Sequence, residues 1–118
     1  MSLPEPRRGE VWLAELDKRR PVVVLTRDPL GRLLHSVIIG PVTSTVRGLS
    51  TEVAVGNDDG VRVDSVVNLD NLQLLERRRL LRRVGRVRDA TLARICAAIA
   101  IAVGCDASTS GGAVKPPA

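Results

Sequence analysis

Apolar and β-branched residues fall in short runs broken by turn residues along most of this chain. The clearest run is Arg20-Pro21-Val22-Val23-Val24-Leu25-Thr26, with four consecutive apolar residues, three of them β-branched. It reads as a strand covered on both faces, with Pro21 at its first position, where a missing N–H is tolerated. The residue before a proline is pushed to extended backbone, so Arg20 is pre-set at the mouth of this central strand. Ahead of it, Gly9 opens a first strand, Glu10 to Leu16, anchored by Trp12. Asp17-Lys18-Arg19 is too short a link for a crossover helix, so the two strands are expected as antiparallel neighbours.

The same pattern gives a third strand over Leu33 to Ile39, ended by Gly40-Pro41, with Val42-Thr43-Ser44-Thr45 as a hydroxyl-rich exit. A fourth strand is expected over Leu49 to Val55, where apolar and polar positions alternate. Gly56-Asn57-Asp58-Asp59-Gly60 is a turn signal. A fifth strand covers Val61 to Leu69, with Leu72 to Leu75 as its continuation after a bend. Arg77-Arg78-Arg79-Leu80 reads as a helical turn, and Arg82 to Val87 as a basic strand. The period then changes. Asp89 is the expected N-cap of a helix running to Val103 and closed by Gly104. Leu92, Ile95, Cys96, Ile99 and Val103 form its apolar stripe. Ala97, Ala98, Ile101 and Ala102 leave little of it wet, which asks for a second covering surface such as a partner subunit. The expected organisation is a lead over residues 1–8, one domain over 9–105, and a disordered Gly/Pro-rich tail over 106–118. Short successive strands and one C-terminal helix predict a small, strongly bent antiparallel sheet or barrel.

Composition narrows the function. The chain has 118 residues, enough for one core, and a formal net charge of +5 with a single aromatic residue, Trp12. A basic surface suits nucleic acid, an acidic protein or an anionic membrane. The lack of aromatics argues against modules that stack bases on aromatic rows, so RNA binding here would rest on Arg and small polar groups. Cys96 and Cys105 show no metal-ligand spacing and fall on opposite helix faces; both read as packing residues in a reducing cytoplasm. The start is not a signal peptide, and the longest apolar run, Ile95 to Val103, is too short to cross a bilayer.

Most catalytic patterns are absent: no phosphate-binding Gly-Lys loop, no nucleophile elbow, no His/Cys cluster for zinc, and no calcium-loop spacing around Asn57-Asp58-Asp59-Gly60. His35 in the third strand reads as a surface or satisfied histidine rather than a general base. What remains is a set of strand ends. Arg20, Thr43, Ser44 and Thr45, with Glu52 and Asp64-Ser65 behind them, are expected to converge on one rim. A guanidinium beside hydroxyls suits a phosphodiester on which negative charge builds.

In order and spacing, Arg8-Gly9-Glu10-Val11-Trp12, Arg20-Pro21-Val22-Val23-Val24-Leu25, Pro41-Val42-Thr43-Ser44-Thr45, Asp64-Ser65-Val66-Val67-Asn68-Leu69-Asp70, Arg79-Leu80 and Val84-Gly85-Arg86-Val87 resemble the MazF/PemK toxin endoribonucleases of bacterial toxin–antitoxin pairs. The resemblance spans residues 7–103. It implies an SH3-like small barrel of the plasmid-toxin (MazF/CcdB) type, mainly β with a C-terminal helix, acting as a homodimer without cofactor or metal. It implies sequence-specific cleavage of single-stranded RNA (mRNA, with rRNA or tRNA as further targets) by 2′-OH attack, leaving 2′,3′-cyclic phosphate and 5′-OH ends. It also implies neutralisation by a small acidic MazE-like antitoxin, in a complex up to a heterohexamer, in the cytoplasm. Carried over by motif, the catalytic residues are Arg20 and Thr43. Arg19, Ser44, Thr45, Asn71, Gln73, Arg82 and Arg83 are the implied RNA-binding residues. Two departures stand out: the link Asp17-Lys18-Arg19 is shorter than in many members, and Asn71 stands where the family often has Gln. Two other readings compete: a gyrase-poisoning toxin on the same fold, and an inactive RNA- or antitoxin-binding module using Arg77-Arg78-Arg79, Arg82, Arg83, Arg86 and Arg88 as a phosphate-tracking patch.

Overall fold

The computed structural model describes residues 3–105. Seven strands precede one helix: β1 Glu10–Glu15, β2 Arg19–Val24, β3 Ser36–Thr43, β4 Glu52–Val55, β5 Ser65–Asn68, β6 Gln73–Glu76, β7 Leu80–Arg86 and α1 Asp89–Ala102. They form one antiparallel sheet in the order β4-β5-β3-β2-β1-β7, with β6 added to β3. The sheet curls without closing, since β4 and β7 do not pair. This is the mainly β architecture with a C-terminal helix that the strand pattern predicts.

β2 lies at the centre because both of its faces are apolar. Val23 and Leu25 join one core cluster with Val11, Val42, Val67 and, from the helix, Ile95 and Ala98. Val22 and Val24 join a second with Ala14, Val37, Ile39, Leu75 and Leu80. Strand alternation sends successive valines to opposite sides, so an unbroken apolar run serves two cores.

The third strand does not end at Gly40-Pro41; it continues to Thr43. Its first half pairs with β6 and its last residues pair with β5. Gly40-Pro41 falls at the changeover between those partners, where a residue without an N–H is tolerated. A Cβ on Gly40 would lie 2.9 Å from Val67 Cγ1, so only glycine lets β5 close over this point. The segment Leu72 to Leu75 is accordingly a separate strand on β3, not a continuation of β5. The fourth strand starts later than expected. The Glu52 carboxylate accepts the backbone N–H groups of Arg47 and Leu49 at 3.1 Å, which holds the approach as a turn. The fifth starts at Ser65, after a bend at Arg62-Val63.

The helix buries Thr91, Ile95 and Ala98, with Leu92, Ile99 and Ala102 packed beside them. Cys96 and Val103, assigned to the stripe, are exposed, and both cysteines are free and exposed rather than packed. Asp89 is the first helical residue; Arg88 is the N-cap and supplies no side-chain cap. The capping role falls instead on Asp59, whose Oδ1 accepts the Arg88 backbone N–H at 2.9 Å. The lead residues pack onto the domain: Pro6 is buried, and the Arg77 guanidinium donates to the Pro4 and Leu34 carbonyls. The expected tail, residues 106–118, lies outside the described residues.

Candidate functional site

The register of β2 on β3 builds the site. Val22 faces Pro41, Val23 faces Gly40 and Val24 faces Ile39. Extended by two residues, that register sets Arg20 opposite Thr43 on the same face. Arg20 is held by its pairing with Ala14 on β1, and Thr43 by its pairing with Val66 on β5. Two residues distant in sequence therefore end on neighbouring strands, and both line the same two cavities.

Their polar groups remain available. The Arg20 guanidinium is only partly exposed, and its Nε is buried with no hydrogen-bond partner among the described residues. Its Nη2 reaches Asp17 Oδ2 at 3.4 Å, a long contact to a carboxylate that is 74% exposed. Such a pair is worth at most about 1 kcal/mol and is readily displaced. Thr43 Oγ1 accepts the Thr45 backbone N–H at 3.1 Å, which leaves its own proton free to donate.

Three cavities meet at Arg20. The first, about 540 Å³, brings Arg20, Thr43, Ser44 and Arg82 together with Lys18, Arg62 and Ser65. The second, about 350 Å³, holds Arg20, Thr43, Ser44, Thr45 and Asn71 beside Arg47, Glu52 and Asn68. The third, about 530 Å³, holds Arg20, Asn71 and Gln73 with Asp17, Glu76 and Arg79. Glu76 is held below the usual carboxylate range by hydrogen bonds from Arg78, so it stays ionised.

Two of the expected RNA-binding residues do not line these cavities. Arg83 points away from Arg82, as neighbours on a strand must, and pairs with Glu10 Oε2 at 2.9 Å. Glu10 also accepts from the Arg7 backbone and the Trp12 indole N–H, so Arg83, itself exposed, is tied to a structural cluster around the buried Glu10 carboxylate. Arg19 pairs with Glu15 at 3.2 Å on the outer side. The wider basic patch also dissolves. Arg77 is buried on carbonyls, Arg78 and Arg79 share Glu76, Arg86 bonds the Arg8 carbonyl, and Arg88 pairs with Asp58 and Asp59. Of that patch, Arg82 alone has no protein partner among the described residues and also lines a cavity with Arg20. His35 is exposed just before β3, at the end away from Thr43, so it supplies no base here.

Sequence reasoning missed Lys18, Arg62 and Arg47 in the cavities. Lys18 sat in a link read only for its length, and Arg62 in a stretch read as strand. It also missed Asp59, read as turn chemistry but 1% exposed. Burial works to raise its pKa. The Arg88 backbone N–H, the Thr91 hydroxyl and the Arg88 guanidinium outweigh that and hold it below the usual carboxylate value. The turn is pressed against β7, where Gly60 and Gly85 face each other too closely for any side chain: a Cβ on either would lie 2.7 Å from the other's Cα. A buried carboxylate next to the residue that starts a wall of the cavity fixes that wall to the helix.

As a unit, the groove offers a fixed guanidinium, a donor hydroxyl and several cations. It can hold a phosphodiester and stabilise the charge that builds on its oxygens. A guanidinium holds its proton too firmly to act as a proton acceptor, so its chemistry here is electrostatic.

The sequence profile described as "PemK-like, MazF-like toxin of type II toxin-antitoxin system" matches residues 7–103. A probable endoribonuclease MazF5 of Mycobacterium tuberculosis is 41% identical over 103 residues, covering 85% of this chain and 94% of that protein. The solved structure of the M. tuberculosis toxin MazF-mt6 superposes with a TM-score of 0.79 at 38% identity, covering 82% of this chain and 98% of that one. A mycobacterial endoribonuclease solved in complex with its cognate antitoxin superposes at 0.77 with 31% identity, covering 84% and 95%.

Proposed function

Because this chain belongs to the PemK-like, MazF-like toxin family of type II toxin–antitoxin systems, we propose that it is an endoribonuclease toxin acting on single-stranded RNA at the Arg20–Thr43 groove. The ribose 2′-OH attacks the adjacent phosphorus, the bond to the 5′-oxygen of the next nucleotide breaks, and the products carry a 2′,3′-cyclic phosphate and a 5′-OH. Arg20 binds the phosphorane oxygens as their charge rises, and Thr43 donates to one of them. Asn71 and Gln73 sit where amides can read base edges beside the scissile phosphate, which would make cleavage sequence-specific. A small acidic antitoxin of the MazE kind neutralises the toxin in the cytoplasm. A second copy of the chain forms the homodimer, and the exposed Ile101 and Val103 give it an apolar surface to cover.

The observation that carries this reading is that a guanidinium with an unsatisfied Nε and a free hydroxyl donor line two cavities in common. The test is incubation of the purified protein with long RNA in EDTA, followed by mapping of the new 5′ ends. Cleavage at a recurring sequence with 5′-OH termini is expected. Intact RNA, or cleavage unchanged by Arg20→Ala, contradicts the assignment.

A further inference from the structure

We infer that Lys18, Arg62 and Arg82 form a second phosphate subsite, holding a backbone phosphate next to the one at Arg20; this rests on the RNA-cleaving reading above. The three cavities that share Arg20 differ in kind. One is lined by four cations, Lys18, Arg20, Arg62 and Arg82, and by no carboxylate. The other two contain carboxylates: Asp17 and Glu76 in one, and in the other Glu52, which already accepts the Arg47 and Leu49 backbone N–H groups.

Among the described residues, Lys18, Arg62 and Arg82 have no ion-pair partner, whereas Arg19 and Arg83, their neighbours in the chain, each have one. Converging cations without counter-charge repel one another, and an anion in the cavity relieves that repulsion. The three come from separate parts of the chain: Lys18 from the β1–β2 link, Arg62 from the segment after Gly60, and Arg82 from β7. Thr43 and Ser44 line the same space, so the charge is continuous with the Arg20 site. The apolar wall from Leu13, Val42 and Val84 lets a sugar rest against it. A polyanionic strand therefore enters over the cation-only cavity. The side that holds Asp17 and Glu76 repels phosphate and accepts from the amino groups of bases.

The test uses an RNA oligonucleotide with 2′-O-methyl groups at every ribose, which binds but cannot be cut. Affinity is measured against salt for the wild type, Arg62→Gln, Arg82→Gln and the control Arg27→Gln, with thermal melting to verify folding. Each cavity variant is expected to flatten the logarithmic salt slope by about 0.7, the value for one phosphate contact on a single strand, while the control leaves it unchanged. Oligonucleotides carrying one neutral methylphosphonate linkage are then scanned. One linkage position should weaken wild-type binding several-fold without weakening Arg62→Gln further. Unchanged slopes for folded Arg62→Gln and Arg82→Gln, or no linkage position coupled to Arg62, overturn the subsite even if Arg20→Ala abolishes cleavage. A wild type that binds no RNA overturns both the subsite and the nuclease reading.

Discussion

Two Arg–Asp pairs in this protein share a distance, and each leaves one buried polar atom without a hydrogen-bond partner among the described residues, Arg20 Nε and Asp59 Oδ2, yet they do different work. Arg20 meets Asp17 at 3.4 Å, and Arg88 meets Asp59 at 3.4 Å. Asp17 is 74% exposed and sits on a short link; Asp59 is 1% exposed and also accepts the backbone N–H that opens α1. The buried carboxylate has lost its water and depends on its partners, so that pair locks loop to helix. The exposed carboxylate competes weakly for a guanidinium whose Nε still lacks a partner, so that pair yields to a better anion. Burial, not separation, divides a structural ion pair from a binding site in waiting.

The comparison breaks most visibly at Arg20. Arg20→Ala should lower the cleavage rate on the order of 100- to 1,000-fold, the loss typical for removing one preorganised charge-stabilising donor, with a melting midpoint within a few degrees of wild type. A large fall in melting would make Arg20 structural after all. Asp59→Ala should do the reverse. It removes the acceptor of the Arg88 backbone N–H and leaves the Arg88 side chain only its 3.7 Å contact to the exposed Asp58, costs about 1–3 kcal/mol and lowers the melting midpoint by several degrees per kcal/mol, while the rate per folded molecule stays close to wild type.

Acid sharpens the same contrast. Asp59 has its pKa lowered by folding, so its contribution to stability is present above the ordinary carboxylate value near 3.8 and is lost as pH falls through the lower folded value. Wild type should lose stability more steeply than Asp59→Asn below about pH 4 in acid titrations followed by circular dichroism. Equal slopes would mean the carboxylate is not held by its partners. The smallest effect belongs to Asp17→Asn, which frees Arg20 of its internal competitor. Affinity for uncleavable RNA should rise a few-fold at low salt, and the gain should shrink at high salt as exposed charges are screened. Weaker binding would show that Asp17 orients the guanidinium rather than competing for it.

Much of this was legible in the residues. The run Pro21-Val22-Val23-Val24-Leu25 announces a doubly covered strand, and the ordered motifs place Arg20 and Thr43 on one rim. The extension of β3 through Gly40-Pro41 was not legible, because it depends on a change of partner strand that local pattern does not encode. Arg82 and Arg83 look alike in sequence, yet strand alternation sends one to the groove and the other to Glu10; only the register on β1 decides which. Asp59 hid for a related reason. Asn57-Asp58-Asp59-Gly60 satisfies turn chemistry by itself, and the burial of one carboxylate follows from a helix thirty residues later.

The central claim is that Arg20 and Thr43 act together on one phosphate, and a double-mutant cycle on the cleavage step tests it most directly. Single-turnover rates are measured on one mapped RNA site for wild type, Arg20→Ala, Thr43→Val and the double variant. Shared action predicts that the double variant is little slower than Arg20→Ala alone, because the second donor loses its purpose once the first is gone. Rate losses that simply multiply would mean that the two side chains serve separate tasks, and the shared phosphate would have to be abandoned.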